Sequence, residues 1–303
     1  MIKTPHLAVF TKNYENPAYA AARLGAERIA AHWGAHVIHY VPQRADNTQE
    51  QQALVLQAIA AKPDACIFVA VDAEAMISSV EAFNNAQIPV FSFINRLLGG
   101  QVICHVGADD VALGQNIAQY LLSRLPLSAR IVVLKGTAGS ISGRDRLQGF
   151  ELALQRFPNA QWIAQLQGEF LQDTAQAVFS HWLNKNIAFD AILAANDAMA
   201  LGAIDALKQH QRPCCPIVGV NAVPAAISAL LQGTLLATAN FDAMGLAALA
   251  TEAALRFLSD ESVPSQILLP VKIIDQSQAQ YWNQPFSKRA LPIWDQVITQ
   301  SSS

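Results

Sequence analysis

The chain has 303 residues, of which 52% are apolar and only 14% charged, with a net charge of −3. Such a composition excludes a disordered arm and lacks the basic face that phosphate backbones require, so no nucleic-acid partner is expected. No apolar run reaches the roughly 20 residues of a bilayer span, so no membrane insertion is expected either, and at this length two lobes are expected rather than one.

Short apolar runs alternate with helical patterns, the signature of a parallel sheet wrapped by helices. The first half predicts strands over 6–11, 35–41, 64–71 and 88–94, with helices over 17–33, 48–61 and 73–86; Thr48 and Gln51 fit a capping box. A further run, 102–106, ends in Gly107-Ala108-Asp109-Asp110. The second half repeats the layout, with strands over 129–135, 160–167, 189–195 and 215–220 and helices over 142–156, 172–185, 197–210 and 223–232. A helix over 242–259 and a strand over 266–275 complete the body. The tail from Gln276 is polar and carries Trp282, Phe286 and Trp294, which are expected to pack on the body; the final serines are expected to fray.

No catalytic constellation is present: there is no G-x-S-x-G elbow, no H-E-x-x-H and no paired carboxylates beside a nucleophile, so an enzyme is not expected. The glycine-rich segment 136–143 lacks both phosphate-loop patterns. Cys66, Cys104, Cys214 and Cys215 lack metal-ligand spacing and are expected to be unpaired core thiols. No metal site is expected.

The informative residues stand where apolar strands stop. The run Phe189-Asp190-Ala191-Ile192-Leu193-Ala194-Ala195 ends at Asn196-Asp197, where a small-residue helix starts; Asp197 is the expected cap of that helix. Comparable junctions carry Asn16 and Tyr19, Asn95 and Arg96, Arg144, Phe170, Asn221 and Asn240. Polar groups at the carboxyl ends of parallel strands face the crevice where open α/β sheets bind ligands. Amides donate and accept, guanidinium forks grip paired oxygens, and rings cover the C–H face of a sugar, so the set suits a small polyhydroxylated solute.

These residues resemble the type I periplasmic sugar-binding proteins, the ribose-binding-like group that serves ABC transporters, over roughly residues 6–275. The resemblance rests on Asn16-Pro17, on Ile88-Pro89-Val90 leading to Asn95-Arg96, and on Gly143-Arg144-Asp145-Arg146-Leu147-Gln148-Gly149-Phe150. It also rests on Asn196-Asp197-Ala198-Met199-Ala200-Leu201-Gly202 and Val218-Gly219-Val220-Asn221. It implies an α/β fold of two Rossmann-like lobes with parallel sheets, 1–107 plus 241–269 and 108–240 plus 270–303, joined by three hinge crossings near 107–110, 238–242 and 268–271. A solute would sit in the interlobe cleft and close it by hinge motion, with Asn16, Tyr19, Asn95, Arg96, Arg144, Phe170, Asn196, Asn221 and Asn240 as its contacts.

The resemblance further implies a monomer without cofactor that delivers a monosaccharide, polyol or sugar derivative to an ABC permease. It implies a periplasmic location, although no leader precedes the first strand and a cytoplasmic location stays open. Two alternatives share the same core: the ligand-sensing part of a signalling receptor system, and that of a lactose-repressor-type regulator. The chain departs from the family where aspartate is usual, at Asn95 and Asn221, which points away from a plain pentose toward a solute with a carboxylate or carbonyl oxygen. Ala18 stands where a second aromatic ring is frequent, so one stacking wall is expected to be missing or to be supplied by Phe10 or Phe93.

Overall fold

The computed structural model describes residues 4–301. Residues 1–3, and Ser302 and Ser303 whose fraying the composition suggests, lie outside that range. The chain divides into two compact units. The first runs to Ala108 and adds Asp242–Leu269 and the stretch from Ala290; the second holds Asp109–Phe241 and Pro270–Arg289.

In chain order the first unit contributes β1 (His6–Phe10), α1 (Pro17–Trp33), β2 (His36–Tyr40), α2 (Thr48–Ala60), β3 (Ala65–Phe68), α3 (Ile77–Asn85), β4 (Val90–Phe93) and β5 (Cys104–Ala108). The second follows with α4 (Asp110–Leu122), β6 (Arg130–Lys135), α5 (Ile141–Leu154), β7 (Gln161–Gln167) and α6 (Gln172–Leu183). It continues with β8 (Ala191–Ala194), α7 (Asp197–Gln209), β9 (Ile217–Val220), α8 (Pro224–Leu231) and β10 (Ala237–Asn240). The chain then returns to the first unit for α9 (Ala243–Leu258) and β11 (Gln266–Leu269), and to the second for β12 (Lys272–Asp275) and α10 (Gln276–Trp282). It ends in the first with α11 (Trp294–Ser301).

Each unit is built on a six-stranded sheet, ordered β2-β1-β3-β4-β5-β11 in the first and β7-β6-β8-β9-β10-β12 in the second. The described pairings are parallel except β10 with β12. Strand order reverses between β1 and β3, and again between β6 and β8, which makes the carboxyl ends of those strands the switch points where such sheets hold ligands. Strands β3, β4, β8 and β9 are buried on both faces, so they read as unbroken apolar runs.

The single strand expected over 266–275 is two. Pro270 cannot donate to a ladder and interrupts the run, so β11 joins one sheet and β12 the other. Helix α4 and strand β10 were not among the predicted elements. The expected Thr48–Gln51 capping box does not form. Asn47 caps α2 through Glu50 N at 2.9 Å, and Gln51 is buried, bridging Val69 O (3.0 Å) and Val71 N (2.9 Å).

The tail packs as expected, but on two bodies. The Arg289 guanidinium covers the rings of Trp282 (5.4 Å) and Phe286 (4.8 Å) in the second unit, whereas Trp294 lies under Arg256 at 4.9 Å in the first. The stretch from Ala290 therefore belongs with the first unit, not with residues 270–289, and adds a fourth passage to the three expected.

Helices pair closely where a glycine removes the side chain. A Cβ on Gly149 of α5 would run into the Val111 carbonyl oxygen of α4, and one on Gly25 of α1 into the Met244 carbonyl oxygen of α9. Because backbone atoms must yield, Gly149→Ala is expected to cost about 1–3 kcal/mol of stability, read as a lower urea midpoint with an unchanged slope.

Candidate functional site

Two helices of the candidate set begin on its own amides. Asn16 caps α1, its Oδ1 accepting from Ala18 N at 3.0 Å, and Asn13 Oδ1 in turn accepts from Asn16 N at 2.8 Å. Asn196 caps α7 through Met199 N (2.9 Å), while its Nδ2 donates to the Phe170 carbonyl (2.9 Å). Capping uses the amide oxygens and leaves the Nδ2 groups to donate elsewhere, that of Asn196 to the Phe170 carbonyl. Asn196, not Asp197, is the cap.

In the first unit Asn16 and Tyr19 follow β1, while Asn95 and Arg96 follow β4. Asn95 is buried, its Nδ2 donating to Ala70 O at 3.0 Å. Tyr19 is buried within α1, whereas Arg96 is exposed. His105 Nδ1 lies 2.8 Å from Ser92 Oγ. Burial first, and then the Arg96 charge, push the His105 imidazole down to about 4. Phe10 and Phe93 do not supply a stacking wall. Both are fully buried, and Phe10 stacks on Tyr40 at 4.9 Å and tilts against Phe68 at 5.1 Å.

In the second unit the structure brings Phe170 and Asn196 into direct contact, and the Phe170 ring fills the space beside Gly136 where a Cβ would stand. Asn221 N donates to Ala239 O (2.8 Å), which sets it beside Asn240 at the end of β10. Arg144 is exposed in the first turn of α5, with Asp145 Oδ1 3.5 Å from its Nε. Arg146, two residues on, points the other way. It is buried, donating from Nε to Asp110 Oδ1 (2.7 Å) and from Nη1 to Ala195 O (2.8 Å), with its guanidinium 4.6 Å from the Phe241 ring.

Five of the eleven described non-glycine residues with positive φ stand at these strand ends. Ile94 (φ 65°), Glu169 (55°), Phe170 (60°), Asn221 (119°) and Ala222 (52°) all hold positive φ although none is glycine. Such residues persist only where their surroundings over-determine them, and they collect at ligand-binding turns. The Asn221–Val223 turn is held on three sides. Asp197 Oδ2 accepts from Val223 N (3.0 Å), Thr238 Oγ1 accepts from Ala222 N (3.2 Å), and Arg289 Nη1 donates to Ala222 O (2.6 Å). Thr238 Oγ1 also donates to Asp197 Oδ1 at 2.6 Å. None of Asp197, Thr238 and Arg289 was legible as a partner of this turn, because they lie 26, 16 and 67 residues from the groups they bond.

The profile of the periplasmic binding protein domain matches residues 7–262, most of the chain. The chain belongs to that family. Its type I fold, two α/β units with mostly parallel sheets, is that of the family's solved members, and the chain is a binding protein, not an enzyme. The ribose import binding protein of Escherichia coli is 25% identical over 268 residues, which cover 88% of this chain and 90% of that protein. The ribose import binding protein of Bacillus subtilis is 27% identical over 273 residues, covering 89% and 86%. The structure of an ABC transporter periplasmic solute-binding protein from Actinobacillus succinogenes with bound D-allose is 26% identical, with a TM-score of 0.86, over 92% of this chain and 100% of that one.

In this periplasmic binding protein Asp197 is fully buried, and desolvation pushes its carboxyl up to about 6 against the donors from Thr238 and Val223. The native state therefore keeps a proton that the unfolded chain releases near pH 4, so this group's favourable contribution is complete below that pH and fades as pH rises through about 6. Thr238→Val removes one donor and raises the folded value further. It is expected to cost about 1–3 kcal/mol at pH 8 and distinctly less at pH 5, where the carboxyl is protonated in either form. Urea unfolding at the two pH values reads the difference.

Proposed function

We propose that the protein is the extracytoplasmic solute-binding component of an ABC transporter, taking up a small carbohydrate-like solute. In this reading Asn16, Tyr19, Asn95 and Arg96 of the first unit and Arg144, Phe170, Asn196, Asn221 and Asn240 of the second contact that solute. The observation that carries it is the set of strained turns, Ile94-Asn95, Glu169-Phe170 and Asn221-Ala222, each at the carboxyl end of a strand and each presenting a residue suited to a polyol. The names of the relatives support the same class: ribose import proteins, and a structure holding D-allose. Delivery to a permease, a monomeric state and a periplasmic location are parts of the same proposal.

A solute that binds the folded state alone raises apparent stability by mass action, by about 2.7 kcal/mol at a concentration one hundred times Kd. Thermal melts against a panel of neutral sugars, polyols and sugar acids are expected to give a concentration-dependent rise for one class. A panel without any shift, confirmed by calorimetry, overturns the reading.

A further inference from the structure

The segment between α7 and β9 reads Pro213-Cys214-Cys215-Pro216. Each proline fixes its own φ and removes a backbone donor, and Pro216 biases Cys215 toward extended backbone, so the two cysteines sit in a stiff linker outside any helix or strand. Their surroundings differ from those of the other two thiols. Cys66 and Cys104 are buried within β3 and β5, whereas Cys214 is exposed and Cys215 half-buried. Cys214 Sγ lies 3.7 Å from the Cys215 carbonyl and 3.8 Å from the Thr234 carbonyl. Both cysteines line a pocket of about 530 Å³ with Tyr120, Leu230, Leu235 and Asp275, which gives an incoming reagent access to Cys214.

We propose that Cys214 and Cys215 form a thiol–disulfide exchange site, which a low-molecular-weight disulfide such as oxidised glutathione closes into a vicinal disulfide. Exposure makes Cys214 the attacking sulfur. Burial, and then the neighbouring Cys214 sulfur, push the Cys215 thiol up to about 12 and leave it as the resolving one. The Cys214 thiolate attacks one sulfur of oxidised glutathione; that S–S bond breaks and one glutathione leaves as thiolate, taking a proton from water. Cys215 then gives its proton to solvent and attacks Cys214 Sγ, expelling the second glutathione. Two protein thiols are oxidised and one disulfide is reduced to two thiols.

Adjacent Cα atoms stand about 3.8 Å apart across a trans peptide, below the roughly 4.4–6.8 Å of ordinary disulfides. The ring is therefore strained and readily reduced, which makes it a reversible modification and not a structural staple. The site lies at the amino end of β9, opposite the end that carries Asn221, and its chemistry is independent of the solute proposal.

The test uses the full chain in oxidised glutathione, followed by acid quenching, alkylation and peptide mass spectrometry. The expected product carries a 214–215 peptide two hydrogens lighter, with neither alkyl group nor glutathione, and excess reduced glutathione restores both thiols. Cys215→Ser is expected to stop at a stable glutathione adduct on Cys214. Cys214→Ser is expected to leave a thiol that reacts at least 10-fold more slowly than Cys214. The proposal is overturned if the wild-type chain ends as a lasting adduct on Cys214, as a disulfide-linked dimer, or with both thiols alkylated.

Discussion

Arg146→Ala is expected to remove about 3–5 kcal/mol from the stability of the second unit, the size of loss seen when one partner of a buried ion pair is deleted. Arg146 is 3% exposed, and its guanidinium holds three things at once: the Asp110 carboxylate, the Ala195 carbonyl just before Asn196, and the face of Phe241. Without it Asp110 remains buried at the start of α4 with no cation beside it. Burial already raises the Asp110 carboxyl, and Arg146 is the main influence pulling it back. In the variant the folded-state value climbs further above the unfolded one, so the loss is smallest in acid and grows as pH rises through that value. Urea unfolding at pH 5 and pH 8, followed through Trp162, Trp182 and Trp282 of that unit, reads both the size and the sign. Replacing the pair together, Asp110→Leu with Arg146→Met, is expected to recover most of the loss, because no charge is then left uncompensated. A cost below 1 kcal/mol for the single variant would mean that water reaches Asp110.

The architecture was legible because its physics is local. A strand buried on both faces writes a continuous apolar run, as in Ala191–Ala194, and a polar pair marks the start of the following helix, as Asn196-Asp197 does, although the cap is Asn196 and not the expected Asp197. What escaped was of two kinds. Short or mixed segments carry too little pattern: β10 reads Ala-Thr-Ala-Asn, and the run broken at Pro270 looked like one strand although it serves two sheets. Long-range partners leave no local trace: nothing around Thr238 or Arg289 announces that they hold the Asn221 turn. Phe10 and Phe93 show the converse, since an aromatic ring at a strand end has the same spelling whether it faces a solute or the core. Cys214 is a further case. It was expected to be a core thiol but is exposed, because β9 begins only at Ile217 and the prolines hold the residue outside the sheet.

Charge at the proposed site leads to the second large effect. The nine proposed contacts comprise five amides, two guanidinium groups and two rings, without a carboxylate. In the second unit the buried acids Asp110 and Asp197 are committed, to Arg146 and to Thr238 with Val223, whereas Arg144 is exposed, with Asp145 Oδ1 3.5 Å from its Nε. A solute bearing a carboxylate is therefore expected to bind more tightly than its neutral counterpart, and less so as salt is raised. Arg144→Ala is expected to weaken an acidic sugar by about 1.5–3 kcal/mol, the worth of a hydrogen bond to a charged group, or roughly 10- to 100-fold in Kd. It is expected to leave the melting temperature of the solute-free protein nearly unchanged, since the side chain is exposed and its pairing with Asp145 is a surface one. Asn221→Asp is expected to act in the same direction through repulsion, and to favour a neutral sugar, because a carboxylate accepts two hydroxyls where an amide accepts one and donates one. Glu169, at the turn before Phe170, would oppose an anion, so Glu169→Gln is expected to tighten binding of the acid. Titration calorimetry of each variant against a matched pair, one sugar and its acid, distinguishes these outcomes. A clear preference of the wild-type chain for an unmodified neutral pentose would refute the charge argument and leave the solute-binding proposal standing, whereas failure of both to bind would count against the proposal itself.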